Sequence, residues 1–154
     1  MPDFPLDGGC RCGRVRFRLF AAPLMEAACH CRGCQRMTGS AFSTTLVMAE
    51  DAFAVTAGET VVGGIHGDEA DHHHCDWCKG WVFTRPRAAI GIVNVRATLL
   101  DDARWFAPWM ETQVAEALPW ATTGAARSFD RFPAMDDYTG LIELYRRDRG
   151  ATTR

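Results

Sequence analysis

Apolar and polar residues alternate over short stretches through much of the chain. Val15 and Phe17 alternate with Arg14, Arg16 and Arg18, as in a strand with one buried face. Further short strands are predicted, from apolar, β-branched and aromatic content, at residues 41–48, 53–56, 61–65, 81–84 and 90–97. Turn signals separate these segments, so the pattern predicts a mainly β domain.

Three segments lack the alternation of a strand. Residues 1–9 are predicted to form an irregular lead-in, and residues 66–74 a polar loop. Residues 111–118 are compatible with a short helix that Pro119 would end, because proline cannot continue a helix.

The last apolar residues have helical spacing. Tyr138, Leu141, Ile142 and Tyr145 are spaced i, i+3, i+4 and i+7, which predicts a short C-terminal helix. One of the aspartates at 136–137 would cap its start, and the arginines near its end suit the negative end of the helix dipole. A basic tail can also anchor nucleic acid, but so few charges favour a solvated helix end.

Composition restricts the class of protein. The chain has 154 residues, 47% apolar and 23% charged, as expected for one soluble globular domain. A net charge of -2 gives no electrostatic footprint for nucleic acid or an anionic membrane. No apolar run reaches the ~20 residues of a membrane span, and the N-terminus lacks the pattern of a signal peptide. We therefore expect a cytoplasmic protein.

The cysteines carry the chemical signal. All 7 fall in three tight clusters: Cys10 and Cys12, then Cys29, Cys31 and Cys34, then Cys75 and Cys78. Such spacings let one turn present several thiolates to a zinc ion. Disulfides are disfavoured by the odd count and the absence of an export signal, and scattered core cysteines would not cluster.

Spacing alone allows two groupings of these cysteines. In one, the first and third clusters share a metal, and the middle cluster forms a three-ligand site of its own. In the other, Cys31 and Cys34 join the third cluster. The first grouping is favoured because the middle cluster supplies three ligands from six residues, and because a structural zinc is most useful when it ties distant segments together.

Three ordered motifs resemble one known family. They are GCRCG at 9–13, CHCRGCQRMTGSAF at 29–42 and HCDWC at 74–78, with LPW at 118–120 and RFP at 131–133 as weaker matches. Together they resemble the glutathione-dependent formaldehyde-activating enzyme family, which shares its domain with centromere protein V.

The resemblance implies a fold, two metal sites and an activity. The fold would be the Mss4-like, β-rich zinc-binding fold, and the activity the joining of glutathione and formaldehyde into S-hydroxymethylglutathione. A structural zinc would be held by Cys10, Cys12, Cys75 and Cys78. A second, more labile zinc would be held by Cys29, Cys31 and Cys34.

The resemblance also suggests a division of the chain. We expect a zinc-binding domain at 1–135 and a C-terminal helical extension at 136–154 packed on the same domain. One departure from the family concerns Lys79, which stands where the family commonly has the glycine that relieves a left-handed turn after the third motif.

A zinc held by three thiolates has an open position that an incoming thiol could take, losing its proton. Cys29, Cys31 and Cys34 are therefore the predicted catalytic residues. His30 could relay a proton or point away and satisfy the backbone, and Thr38 and Ser40 could hydrogen-bond the thiolates.

Substrate contacts are predicted from charge and aromatic content. Arg32 and Arg36 flank the middle cluster and could bind the carboxylates of glutathione, although arginines on a surface are equally expected. Trp109, with Trp105 and Trp120 as further candidates, could line a pocket, although core packing is the commoner use of tryptophan. The histidines at 72–74 fit a solvated loop beside the third cluster, and His66 has no evident partner.

Three functions follow from these observations. The leading interpretation is a zinc-dependent carbon–sulfur lyase acting on a thiol adduct, with glutathione as the thiol. The alternative is a non-catalytic zinc module that binds a thiol, a metal or a protein, since a fold does not determine a function. Nucleic-acid binding through zinc knuckles is disfavoured by the acidic charge balance.

Overall fold

The computed structural model describes residues 2–64, 68–89 and 91–151. Two α-helices lie within these ranges, α1 at Arg32–Thr38 and α2 at Tyr138–Ala151. The strands in chain order are β1 Leu6–Gly9, β2 Arg16–Leu19, β3 Met25–Cys29, β4 Ser43–Ala49, β5 Phe53–Ala57, β6 Thr60–Gly63, β7 Ala70–Cys75, β8 Trp81–Pro86, β9 Ile92–Arg96, β10 Met110–Thr112 and β11 Arg127–Ser128. Short 3-10 helices lie at Glu50–Ala52, Ala97–Leu99, Val114–Glu116 and Met135–Asp137.

The strands form two sheets. The smaller sheet has the order β1-β2-β5, and the larger has the order β11-β10-β3-β4-β9-β8-β7-β6. Neighbouring strands are antiparallel except β10, which is parallel to both β3 and β11. The mainly β fold with a short C-terminal helix is confirmed.

The first hydrophobic core lies between the two sheets. Phe17 of β2 is completely buried there, as are Leu46 of β4 and Val95 of β9. Cys10 and Cys75 belong to the same core. The first cysteine site is therefore built into the contact between the sheets.

The opposite face of the large sheet carries a cavity and the second core. Successive strands turn alternate residues to this face, as the two-residue period of a strand requires. Leu141 and Tyr145 of α2 pack on it beside Met25 and Trp109, while Tyr138 and Ile142 of the same helix line the cavity. The helix thus covers one end of the cavity face. Neither helix in the described ranges has the length and apolar character needed to cross a bilayer.

Most of the predicted strands are confirmed with shifted ends. The predicted segments 41–48, 53–56 and 81–84 correspond to β4, β5 and β8, and the arginine-flanked segment corresponds to β2. The segments 61–65 and 90–97 correspond to β6 and β9, with Ile65 and Ile90 outside the described residues. His66, which lacks an evident partner in the sequence, also lies outside them.

Three predictions were wrong. Residues 1–9 are not irregular, because β1 pairs with β2 from Leu6 to Gly9. Residues 70–74 of the predicted polar loop lie in β7, whose polar side chains are tolerated because they are only partly buried. The predicted helix at 111–118 is wrong because β10 pairs with β3, and a left-handed Gln113 separates it from a single 3-10 turn. The sequence reasoning also missed β3.

Candidate metal centres and the adjoining cavity

The first candidate metal centre is formed by two loops from opposite sheets. Cys10 and Cys12 follow β1, and Cys75 ends β7 with Cys78 in the turn behind it. Their Sγ atoms all lie within 4.8 Å of one another. The sulfurs of Cys10 and Cys12 are 3.4 Å apart, and those of Cys12 and Cys75 are 3.8 Å apart. A tetrahedral ion with bonds of about 2.3 Å needs sulfurs about 3.8 Å apart, so the four thiols fit such an ion.

The surroundings of this centre favour anionic sulfur at Cys10 and Cys78 but not at Cys12. A hydrogen bond from the Arg14 backbone lowers the pKa of Cys12, but burial and the neighbouring thiols outweigh it and raise that pKa to about 11. Burial raises the pKa of Cys10, but hydrogen bonds from the Val15 backbone N–H, at 3.3 Å, and from the thiols of Cys12 and Cys75 outweigh it and lower that pKa to about 6. The pKa of Cys78 is lowered chiefly by a hydrogen bond from the Gly80 backbone N–H. Anionic sulfur and a closed four-ligand set are the features of a structural metal site.

The turn that carries Cys75 and Cys78 is followed directly by a residue in the left-handed conformation, as the sequence suggests. Lys79 has a φ of 56°, a region that residues with a Cβ rarely adopt. Its backbone N–H donates to the Cys75 carbonyl at 3.0 Å, and its Nζ pairs with Asp76 at 2.8 Å. The lysine therefore adopts the backbone conformation for which the family uses glycine.

The second candidate centre is made by the end of β3 and the start of α1. The Sγ atoms of Cys29, Cys31 and Cys34 all lie within 4.8 Å of one another. Cys31 is the N-cap of α1, and its sulfur accepts a hydrogen bond from the Cys34 backbone N–H at 3.3 Å. Gly39, with a φ of 62°, ends the helix in the left-handed conformation typical of a C-cap. A seven-residue helix with both ends fixed by local interactions holds the three sulfurs together.

The three sulfurs cannot all be anionic without a cation. Hydrogen bonds from the thiols of Cys29 and Cys34 hold the pKa of Cys31 far below its usual range. The pKa of Cys29 is raised mainly by Cys31, and that of Cys34 is raised by both other sulfurs and then by burial. The alternative pairing of Cys31 and Cys34 with the third cluster is not the one that the structure brings together. Two separate cysteine clusters could therefore hold metal ions.

A buried polar network fixes the backbone that carries the second centre. The Gln35 amide donates to the His30 carbonyl at 2.6 Å and to the Glu116 carbonyl at 3.0 Å. His30 is almost completely buried, and its Nε2 lies 3.0 Å from an Oε2 of Glu111. Hydroxyls of Thr123 and Ser128 donate to the same carboxylate at 2.6 Å. His30 thus points towards the Glu111 carboxylate on β10, and not to the backbone group that the sequence analysis considered.

The second centre opens onto a cavity of about 980 Å³. Its floor is the free face of the large sheet, and its walls are α1 on one side and the segment ending in α2 on the other. The lining is mostly apolar and includes Met37, Val47 and Ile142. Cys29, Cys31 and Cys34 all line it, whereas no cysteine of the first centre does.

The cavity has one buried cation, Arg96 of β9. Its guanidinium lies 4.0 Å from the ring centre of Trp81, and its Nη2 donates to the Asn94 carbonyl at 3.2 Å. Burial lowers the pKa of Arg96 to about 10, and the sulfurs of Cys34 and Cys29 oppose that effect. Arg96 therefore remains a cation at neutral pH.

The predicted substrate residues lie elsewhere. Arg32 and Arg36 are exposed and do not line the cavity. Arg32 is engaged with its own helix and the neighbouring turn, because its Nη1 donates to Gln35 at 3.2 Å and its backbone N–H to Glu116 at 2.7 Å. Neither arginine is placed to bind a ligand in the cavity.

Trp109 also lies away from the cavity, in the second core. Its ring is 5% exposed and meets Tyr145 edge to face at 5.6 Å, and its Nε1 donates to Asp148 at 2.9 Å. The prediction of a substrate contact at Trp109 is corrected to a packing role. Trp105 packs against the first core and Trp120 is exposed, so neither lines the cavity.

The two hydroxyls predicted to contact the thiolates have other partners. Thr38 donates to the Cys34 carbonyl at 2.8 Å, not to its sulfur, and its oxygen accepts a hydrogen bond from the Ser40 backbone N–H at 3.2 Å; Ser40 itself is exposed and does not line the cavity.

Sequence reasoning missed three residues of the site. Arg96, His72 and Trp81 all line the cavity. A signal for Arg96 was available, since an arginine stands inside a predominantly apolar predicted strand, one residue before its end. A signal for His72 was also available, because the two-residue spacing of His72 and His74 fits one face of a strand. The run of three histidines was interpreted as a loop instead.

Comparison with known proteins agrees with this arrangement. The sequence profile of the glutathione-dependent formaldehyde-activating enzyme family matches residues 5–116. Among solved structures, a Rhodobacter sphaeroides protein is similar in fold, with a TM-score of 0.52 and 19% identity over 62% of this chain and 88% of that one. No curated protein is significantly similar in sequence. With more than half of its residues matched, the chain belongs to the glutathione-dependent formaldehyde-activating enzyme family.

Proposed function

We propose that this protein is a zinc-dependent carbon–sulfur lyase-type enzyme acting on a thiol adduct. The reaction would join glutathione to formaldehyde and give S-hydroxymethylglutathione, as the name of the family suggests. The observation that carries the proposal is the position of the second centre. Its three sulfurs line a large cavity, whereas the four-sulfur centre lies at the edge of the core between the sheets, with Cys10 and Cys75 buried and Cys12 exposed, and does not reach that cavity.

The chemistry of the donors suits this division of roles. Cys10, Cys12, Cys75 and Cys78 would hold a structural zinc with all four positions filled. Cys29, Cys31 and Cys34 would hold a second zinc, which when bound supplies a Lewis acid with a free position for a thiol. The same three residues are the proposed catalytic residues.

The chain's own residues would prepare the reaction. The apolar cavity excludes water from the thiol, and the positive charge of Arg96 favours its anionic form. The thiolate sulfur then forms a bond to the formaldehyde carbon. The electron pair of the C=O π bond moves to oxygen, which takes up one proton, so the proton lost by the thiol balances the one gained.

The proposed partner is a small-molecule thiol, with neither nucleic acid nor a membrane as a ligand. The net charge of -2 supports this choice, because a nucleic-acid or membrane surface would need a basic patch. We propose that the protein acts in the cytoplasm, where cysteines stay reduced and able to bind metal.

The test is adduct exchange followed by NMR. Zinc-loaded protein is mixed with glutathione and formaldehyde, beside a Cys34→Ser variant and a Ser40→Ala control from the exposed end of the same segment. We expect faster exchange with the wild type and the control than without protein, and no acceleration with Cys34→Ser. No acceleration by wild-type protein with both zinc ions bound would refute the enzyme and favour a non-catalytic zinc module.

A further inference from the structure

The floor of the cavity contains a cation that forms no ion pair with a carboxylate in the part of the chain that the structure describes. Arg96 is 7% exposed and lines the cavity. Its Nη2 donates to a backbone carbonyl, its Nε has no hydrogen-bond partner, and no carboxylate in the described ranges forms an ion pair with it. Buried charges are normally paired, because an unpaired one is costly.

The side chains around Arg96 hold its guanidinium in one orientation. Its face lies over the ring of Trp81, and the Trp81 indole N–H donates to Thr84 at 3.0 Å. The same Thr84 hydroxyl is 2.8 Å from Nδ1 of His72, whose ring meets Trp81 edge to face at 5.2 Å. A stacked, fixed guanidinium leaves its in-plane N–H groups available, which is the geometry that binds a carboxylate.

The rest of the cavity offers little to a second charge. Ala27, Val47, Ile92, Met110 and Ile142 contribute apolar surface to the lining of the cavity. The acidic residues that reach the cavity, Asp68 and Glu69, are exposed, so they lie at its mouth. A ligand that fits this arrangement has an apolar body and one anionic group directed to the floor.

We propose that Arg96 binds a carboxylate of the thiol substrate, so that the site selects thiols that carry an acid on an apolar chain. This inference rests on the proposed function, because it assumes that a thiol enters the cavity and reaches Cys29, Cys31 and Cys34. Glutathione could offer either of its two carboxylates to Arg96, with its remaining charged groups directed to the exposed mouth of the cavity. Arg96 thereby takes the role that sequence reasoning gave to Arg32 and Arg36.

A competing use of Arg96 is as a counter-ion to the cysteines. The sulfurs of Cys29 and Cys34 act on it through charge. In that case Arg96 would strengthen metal binding and would not distinguish acidic from neutral thiols. The two uses make different predictions for a matched pair of ligands.

The experiment compares mercaptohexanoic acid with mercaptohexanol, which share a thiol and a chain and differ in the acid. Calorimetric titration of zinc-loaded wild type should show the acid binding about 10-fold more tightly or better, as expected for one charge-assisted hydrogen-bonded pair in a buried site. In Arg96→Met the two ligands should bind within about 2-fold of each other, since the distinguishing charge is gone.

Arg85→Met is the matched control. Arg85 lies on the neighbouring strand β8, is only partly buried, pairs with Glu50 and does not line the cavity, so its loss changes the net charge equally without changing the cavity. In Arg85→Met the ratio of the affinity for the acid to the affinity for the alcohol should equal that of the wild type. Arg96→Lys keeps the charge without the planar fork and should retain part of the preference.

The outcomes separate the two proposals. Equal binding of both ligands by wild type overturns this inference and leaves the proposed function standing. If Arg96→Met keeps the wild-type ratio of acid to alcohol affinity and loses zinc from the second centre, this inference is overturned, and Arg96 acts as a counter-ion to the cysteines. If no thiol binds to protein with both zinc ions present, the proposed function fails and this inference fails with it. If Arg96→Met does not fold, the ratio of acid to alcohol affinity in the wild type and in Arg96→Lys tests this inference instead.

Discussion

Arg149 of α2 forms an ion pair with Glu26, a carboxylate of β3 that is completely buried. The neighbouring Asp148 accepts a hydrogen bond from the Trp109 indole. These two polar contacts join α2 to β3 and to the residue just before β10. The helix supplies residues to the cavity wall, so its attachment also determines the shape of the cavity.

Removing the cation from this pair should destabilise the fold. We expect Arg149→Met to lower the free energy of unfolding by about 3 kcal/mol, because it leaves a buried carboxylate uncompensated. Urea unfolding of zinc-loaded protein measures the change. Arg146→Met, at an exposed position of the same helix, should have little effect. The double variant Glu26→Met, Arg149→Met should recover most of the loss, and a double variant as unstable as the single one would contradict the role of the ion pair.

The sequence made the cysteine sites predictable because each cluster is local. Cys29, Cys31 and Cys34 lie within six residues, so one turn and one short helix bring their sulfurs together. Assigning the four-cysteine site needed only the assumption that the remaining clusters meet. Local motifs of this kind carry their geometry in their spacing.

The rest of the site depends on pairings that are distant in sequence. Glu111 is a good helix former, yet the pairing of β10 with β3 places it in a strand beside His30. Arg96 reaches the cavity because β9 lies between β4 and β8, an order that alternation alone does not give. Trp109 and Trp81 have the same residue type, and only the fold puts one in the core and the other at the cavity. Non-local contacts override local preference at these residues.

The two cysteine centres should differ in their contribution to stability. Cys75→Ser should prevent stable folding, because Cys75 lies in the first core and a structural zinc contributes on the order of 10 kcal/mol. Cys31→Ser should leave a folded protein with a loss of a few kcal/mol at most, since its centre lies at the cavity. Circular dichroism and metal analysis of both variants check this. Equal unfolding by both substitutions would contradict the assignment of a reactive centre.

Lys79 should be replaceable by glycine with a gain in stability. Its positive φ costs a residue with a Cβ about 1 kcal/mol, and glycine removes that cost. Chemical unfolding of Lys79→Gly should therefore show a rise of that size, since the exposed ion pair with Asp76 contributes little. Lys79→Ala is the control, because it loses the same ion pair but keeps the strain. A gain in the alanine variant equal to that in the glycine variant would rule out the backbone as the cause.

His72 should make stability depend on pH. Burial, and then the positive charge of Arg96, lower the pKa of His72 from its usual 6.5, so the unfolded chain takes up a proton more readily than the folded protein. Stability that is present above about pH 6.5 is therefore lost as the pH falls through the folded pKa of His72.

His72→Gln keeps a polar partner for Thr84 but cannot titrate, so its free energy of unfolding should fall less steeply between about pH 7.5 and about pH 5.5. Urea unfolding of both proteins at each pH measures the difference, in which the contributions of the unchanged His73 and His74 cancel. Parallel pH profiles for the two proteins would show that His72 is not buried as a neutral group. They would also argue against a role of His72 in orienting the Arg96 guanidinium.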